Sequence, residues 1–334
     1  MFRGLFSGQG TGRKRKVEEI AMLRFMLKKI SSFLVVLVGI TFISFLLSYL
    51  SPSDPAEIMM RKKGNMVSEE AIQQKREELG LDQPVLVQYG NWLKGILHGD
   101  FGTSYKSNKP VFQEIRKCLP YTIWLTLLSM LIILVISTPL GVLCARYKDG
   151  WLDNLLRFVT YLFSSLPSFF LALILMYVLS LKMKLFPVIA KGNSLGIVMP
   201  AMVLSLTLSA WYIRQVRAII LKEMEKDYID GLLSRGISET RILFGHVLRN
   251  CLMPLVTLIG ISFGSMLGGS TIVESIFTWP GVGKLAVDAI TSRDYPVIQG
   301  YVVWMAVIFL VINAAVEFSY SLLDPRVRRG KEGT

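Results

Sequence analysis

YTIWLTLLSMLIILVISTPLGVLCA (Tyr121–Ala145) runs for 25 residues without one charged side chain. At 1.5 Å per residue a helix of that length measures about 37 Å, more than the ~30 Å hydrocarbon core of a bilayer. Backbone groups in lipid must be satisfied within the segment, so the run is read as a helix. Working outward, five further apolar runs lie at Ser31–Leu50, Phe158–Leu181, Ser194–Ile213, Leu255–Phe277 and Tyr301–Leu323. None alternates with the two-residue period of a membrane barrel strand. The expected fold is all-α and integral to the membrane, with six transmembrane helices. Pro167 and Pro200 should kink their spans or sit at their ends.

The whole chain agrees with that class. Its 334 residues are 52% hydrophobic, and the mean hydropathy is +0.49. The net charge of +13 would suggest nucleic acid in a soluble protein. Here the basic residues gather at the two ends and orient the helices, so no nucleic-acid partner is inferred. Residues 1–30 form a basic tail with Arg13, Lys14, Arg15 and Lys16, and residues 324–334 carry Arg326, Arg328 and Arg329. Six spans place both ends on one side, which the charge rule makes the cytoplasm. The first run is longer than a signal-peptide core and no small-residue cleavage site follows it, so it reads as an uncleaved span. Cys118, Cys144 and Cys251 are odd in number and far apart, and imply no disulfide framework.

Residues 51–118 then fall outside and read as a small helical cap. Asp54-Pro55 starts one helix, Ser68-Glu69-Glu70 a second that Gly80 ends, and Asp82-Gln83-Pro84 a third. In the third, Leu86, Tyr89, Trp92, Leu93, Ile96 and Leu97 recur at helical spacing. The Tyr89–Trp92–Leu93 face either packs on the other cap helices, lies at the membrane surface, or touches a partner. From Leu119-Pro120 to Leu323 five spans (121–145, 158–181, 194–213, 255–277, 301–323) form the core unit of residues 119–323.

The polar connection between the fourth and fifth of the six spans, residues 214–254, falls inside. It reads RQVRAIILKEMEKDYIDGLLSRGISETRILFGHVLRNCLMP. A helix over Lys222–Ser234, with Tyr228 and Leu232 on it, should break at Arg235-Gly236, where glycine accepts a tight turn. Ser238 suits the N-cap of a second helix, with Glu239 in its first turn and Pro254 at its far end. Two readings stand: an amphipathic surface hairpin, or a rigid knob that passes a rigid-body movement to the spans it joins.

Within the spans, Gly260, Gly264 and Gly268 repeat every four residues and suit close helix packing, inside this subunit or against a partner. Ser262, Ser265 and Ser270 supply hydroxyls that could face a translocation pathway. Glu274 and Glu317 are the ionisable residues inside spans; such groups are functional candidates. Glu274 belongs either to the outer mouth of a pathway or to the interface. An ion-coupled secondary transporter would need more carboxylates at mid-depth, and a membrane enzyme would need a nucleophile or metal constellation. His98 and His246 are the only histidines and fall on opposite sides, so no metal site is expected and a metal cargo would pass as a chelate. GVGK at 281–284 is no phosphate loop, because Thr278 and Leu285 stand where glycine and Ser or Thr are needed.

Several long stretches carry a family resemblance. LGLDQPVLVQYGNWLKGILHGDFGTSY (79–105), LPYTIWLTL (119–127), STPLGVLCA (137–145), ESIFTWPGVGKLAVDAITSRDYPVIQG (274–300) and LLDPRVRR (322–329) resemble the dipeptide, oligopeptide and nickel branch of the ABC-importer permeases. The spacing from Tyr228 through Gly236 to Pro254 resembles the ATPase-coupling loop of that family. The family's loop begins Glu-Ala-Ala, where this chain has Asp230, Gly231 and Leu232. The resemblance implies the type I importer permease fold in a prokaryotic plasma membrane, with both termini cytoplasmic. It implies a second homologous permease, two ATPases that hold ATP and magnesium, an extracytoplasmic solute-binding protein, and no cofactor or catalysis on this chain. The cargo it implies is nickel chelate or di- and oligopeptides, and the 79–105 and 274–300 matches lie somewhat closer to nickel permeases.

Overall fold

The computed structural model describes residues 31–52, 54–61, 68–190 and 194–323, so both basic tails lie outside the described residues. Helix α1 covers Ser31–Tyr49. Three short helices follow, α2 (Pro55–Arg61), α3 (Glu69–Glu78) and α4 (Val85–Leu97). The long helices are α5 (Val111–Arg146), α8 (Val198–Met224), α12 (Leu252–Ile276) and α14 (Tyr295–Leu323). Between them lie α6 (Trp151–Ser165), α7 (Ser168–Leu175), α9 (Asp227–Ser234), α10 (Glu239–Ile242), α11 (Leu248–Asn250) and α13 (Val282–Thr291). Among the described residues the only β pairing is one isolated bridge between Thr103 and Pro110. The chain is an all-helical, multi-pass membrane protein.

Helix α8 is the axis of the core. Met199, Val203, Tyr212, Val216 and Ile220 are buried along it, and α5, α6, α7 and α12 pack around it. Gly141 lets α5 come close, since a Cβ there would stand 2.6 Å from Val216 Cβ. Helix α12 has 25 residues, about 37 Å at the helical rise. It therefore puts α9–α11 and α13 at opposite ends of the bundle.

Helix ends depart from the sequence expectation where burial outweighs local signals. Helix α5 starts at Val111, not at Pro120, and carries both Pro120 and Pro139 inside it. Its extra turns are held because Val111 and Ile115 are buried against Val282, Ala289 and Val297. Helix α8 continues past Ile213 to Met224, so the first eleven residues of the 214–254 stretch belong to the long helix. Pro200 and Pro254 sit in first turns, where a missing N–H breaks no helical bond.

The run 158–181 is not one straight span. Helices α6 and α7 meet at Leu166-Pro167 with a bend of 99°. Leu166 is extended, at φ −88° and ψ 125°, as a residue before proline prefers. A π-helical segment, Met176–Lys182, continues α7. On α6, buried Asp153 holds Arg217 of α8 through two bonds, Nε to Oδ1 at 2.8 Å and an NH2 to Oδ2 at 2.7 Å.

The Ser68 side chain caps α3 by accepting from Ala71 N–H at 3.3 Å, and Arg76 of α3 pairs with Asp54. The aromatic face of α4 does not rest on these helices. Its Tyr89 and Trp92 pack on Phe42 and Phe45 of α1 instead.

Candidate functional site

The 225–251 connection is a clamped knob. A break at Glu225 and Lys226 separates α9 from α8, so Lys222–Ser234 is not one helix. Gly236 has φ +76°. Its N–H reaches Leu233 O at 2.9 Å, and Ile237 N–H reaches Leu232 O at 3.3 Å. These two bonds form a Schellman turn, in which the left-handed residue is best a glycine. Leu232 and Ile237, the pair such a turn brings together, both pack on the core. Ser238 holds the N-cap position of α10 with an extended backbone but makes no capping bond through its side chain. Leu243–Val247 is π-helical and carries the chain into α11.

Buried Ile229, Ile242, Leu243 and Val247 root the knob in the core. Its entry and exit are tied together by Glu223, a buried carboxylate near the end of α8. Glu223 Oε1 accepts from Tyr228 OH at 3.0 Å and from Asn250 Nδ2 at 3.1 Å. Lys226 Nζ stands 2.6 Å from Glu223 Oε2, and that contact holds the Lys226 ammonium above its usual range. Burial, with the carboxylate beside it, raises the Tyr228 phenol, so the hydroxyl stays a neutral donor. Arg146 at the end of α5 pairs with Glu239 and donates to Thr240 Oγ1 at 3.3 Å.

Sequence reasoning missed Glu223, Asn250 and Arg146. One signal was available for Glu223. An acid in the last turn of a helix opposes the dipole there, so it needs partners of its own. The outward face holds Asp230, Gly231, Leu233, Gly236, Glu239 and Phe244. Leu233 is 42% exposed and Phe244 61% exposed. Pro254 lines a shallow apolar hollow with Met253, Thr257 and Leu258.

At the opposite end, Glu274 is fully buried. Its Oε1 accepts from Thr122 Oγ1 at 2.7 Å, and its Oε2 accepts from Lys284 N–H at 3.0 Å. Thr122 Oγ1 in turn accepts from Val282 N–H at 2.9 Å. The carboxylate therefore serves the first turn of α13, where the helix dipole favours an anion. Gly281 and Gly283 make room for it. A Cβ on Gly281 would stand 2.5 Å from the carboxyl group, and one on Gly283 would stand 2.6 Å from Thr271 Cα. So Glu274 lies neither at the lipid interface nor on an open pathway within this chain. The glycines of GVGK admit an internal carboxylate. Nearby, buried Asp294 accepts from Ser104 Oγ at 2.5 Å and from Tyr105 N–H at 2.9 Å.

The serines and glycines of α12 divide between two faces. Ser262 and Ser270 are buried, like Glu274, and Ser265 is exposed. The Ser265 and Ser270 hydroxyls donate to helix carbonyls of Ile261 and Leu267, both at 3.1 Å. A Cβ on Gly260 would stand 2.4 Å from Val316 Cγ2, and one on Gly264 would stand 2.7 Å from Phe309 Cε2. Those two glycines pack on α14 of the same chain. Gly268 is exposed, with nothing within 4 Å of its added Cβ. Among the described residues, no three of His, Cys, Asp or Glu gather as metal ligands.

Residues 137–329 match the family described as binding-protein-dependent transport system inner membrane component, and residues 22–126 match its N-terminal part. A peptide transport system permease protein of Brucella abortus is 36% identical over 315 residues, covering 92% of this chain and 99% of that one. The glutathione transport system permease GsiC of Salmonella typhimurium is 34% identical over 307 residues, with the same two coverages. A solved inward-facing structure of the MetNI methionine ABC transporter aligns with a TM-score of 0.55 at 18% identity. It covers 63% of this chain and 96% of its own, and shows a shared fold. On these matches the chain belongs to the inner-membrane components of binding-protein-dependent transport systems, the non-catalytic permease subunits of ABC importers of the peptide and nickel family.

Proposed function

We propose that this permease carries short peptides or peptide-like solutes. The observation that carries the reading is the description of relatives 34% and 36% identical along 92% of the chain as glutathione and peptide permeases. They outweigh the lean of residues 79–105 and 274–300 toward nickel permeases. Membership in this family also sets aside an ion-coupled secondary transporter.

In this proposal the chain pairs with a second homologous permease, two ATPases bind below it with ATP and magnesium, and a solute-binding protein delivers cargo from outside. Both termini and the α9–α11 knob face the cytoplasm, as the basic ends suggest. The knob suits ATPase docking because it is rigid at its base and apolar at its tip. Glu223 ties its two ends, while Leu233 and Phe244 stand exposed on a polar connection. Exposed apolar side chains bounded by polar ones commonly mark a protein interface. When the ATPases close on ATP, the knob would move as one body and carry α8 and α12 with it. Those helices would then switch the pathway between outward and inward access.

Uptake of a labelled dipeptide, labelled glutathione and radioactive nickel, with and without this gene, tests the cargo. Loss of either peptide solute alone is the expected result. Loss of nickel uptake alone would overturn the peptide assignment and leave the permease role standing.

A further inference from the structure

Helix α4 sits at a defined level on α1. The Tyr89 ring packs 5.3 Å from Phe42 and 5.6 Å from Phe45, and the Trp92 ring packs 5.8 Å from Phe45. The Tyr89 hydroxyl also stands 3.0 Å from Thr41 Oγ1. Phe42 and Phe45 lie seven and four residues before Tyr49, the end of α1. At the helical rise those levels are about 10 and 6 Å inside that end. Amphipathic helices bed about 5–10 Å into the boundary between headgroups and acyl chains. Helix α1 is itself long and apolar enough to cross a membrane, and little of it is covered by protein.

Side-chain placement around α4 fits that level. At about 100° per residue, Val85 and Ile96 share the side of Tyr89 and Trp92. Leu86, Leu93 and Leu97 form a neighbouring edge, and Asn91 and Lys94 lie opposite α1. Leu86 is 71% exposed and Leu97 79% exposed. Leu86 and Leu97 on that edge are therefore uncovered by this chain, beside the Tyr49 end of a helix that is itself apolar and mostly exposed. About 80° round the helix from that edge, and away from α1, Lys94 can extend its ammonium to headgroup phosphates along an aliphatic stem.

We propose that α4 is an interfacial helix, with its Leu86–Leu93–Leu97 edge among lipid acyl chains of the leaflet at the Tyr49 end of α1. The inference rests on α1 being a membrane span. It gives the tyrosine and tryptophan a different task from the leucines. The aromatic rings fasten α4 to α1, and the leucines meet lipid. The bilayer thus reaches the 51–118 segment, which is not wholly a soluble cap.

Single cysteines test this in the full-length chain, with Cys118, Cys144 and Cys251 replaced by Ala or Ser. Nitroxides are attached after Leu86→Cys, Leu97→Cys, Lys94→Cys and Val35→Cys. The proteins are placed in vesicles of phosphatidylethanolamine and phosphatidylglycerol. Relaxation by oxygen reports lipid, and relaxation by chromium oxalate reports water. The expected ratio of oxygen to chromium accessibility at positions 86 and 97 is close to that at 35 and several-fold above that at 94. A water-accessible signal at 86 and 97, with 35 still in lipid, overturns the proposal. Protection of 86 and 97 from both reagents also overturns it, by showing a protein partner on the leucine edge. If 35 itself lies in water, the placement of α1 fails first, and the proposal fails with it.

Discussion

Glu274 at the end of α12 and Thr122 in α5 are joined by a 2.7 Å hydrogen bond in which the threonine donates. The bond is buried, and the same threonine oxygen accepts from Val282 N–H at the start of α13. One hydroxyl thus fastens three helices.

Thr122→Val should therefore be costly despite its similar shape. It leaves the carboxylate and the Val282 N–H each short of a partner, and a lost buried partner costs about 1–3 kcal/mol. The measurement is the thermal midpoint of the purified chain in lipid nanodiscs. Thr122→Ser should stay close to the parent. Equal midpoints for the valine and serine variants would show that the hydroxyl does not matter.

Gly236 should tolerate only residues that accept a left-handed backbone. Nothing stands near its missing Cβ, so the penalty comes from φ +76° alone. That penalty is about 1–2 kcal/mol for an ordinary residue and less for asparagine. Gly236→Asn should retain most ATP-driven uptake, Gly236→Val should lower it several-fold, and Gly236→Pro should insert normally but uncouple uptake from hydrolysis. Each is read by paired uptake and ATPase assays. Equal rates for Asn and Val would remove the turn from the account.

Asn250→Ala should loosen the knob without unfolding the bundle. The asparagine bonds both Glu223 and Tyr228, at 3.1 Å each, and its loss removes about 0.5–1.5 kcal/mol per bond. Faster protease cleavage within 225–251, with unchanged cleavage elsewhere, is the expected readout.

Gly260 and Gly268 should respond differently to leucine. Gly260→Leu drives a side chain into Val316 of α14 and should lower the yield of folded chain. Overpacking of that kind costs about 1–3 kcal/mol or more. Gly268→Leu should leave the yield unchanged, because its side of α12 is open. If the second permease packs there, the same variant should co-purify less of it.

Much of this architecture can be read from the sequence, because long charge-free runs have few alternatives to crossing a membrane. Helix ends are harder to read. Local polarity argues against helix at Gln113–Lys117, yet Val111 and Ile115 find a buried site against α13 and α14 and the helix follows. Pro167 announces a break in its run, but the 99° bend depends on what α6 and α7 pack against. The knob is legible through Gly236, since a left-handed turn has a residue signature. Glu274 is different: its type and place are visible, but its partners are a hydroxyl 152 residues away and a backbone amide. The four-residue glycine repeat likewise cannot tell Gly264, packed on Phe309, from Gly268, facing outward.

Asp294 gives the molecule an order of manufacture. The 101–110 segment is held by a carboxylate 190 residues later in the chain. At ~5–20 residues per second, a ribosome needs roughly 10–40 s to supply it. Throughout that interval Ser104 and the Tyr105 amide lack Asp294, and for most of it Thr122 lacks Glu274. This end of the bundle thus closes late in synthesis, and a chain truncated before Glu274 would leave it open.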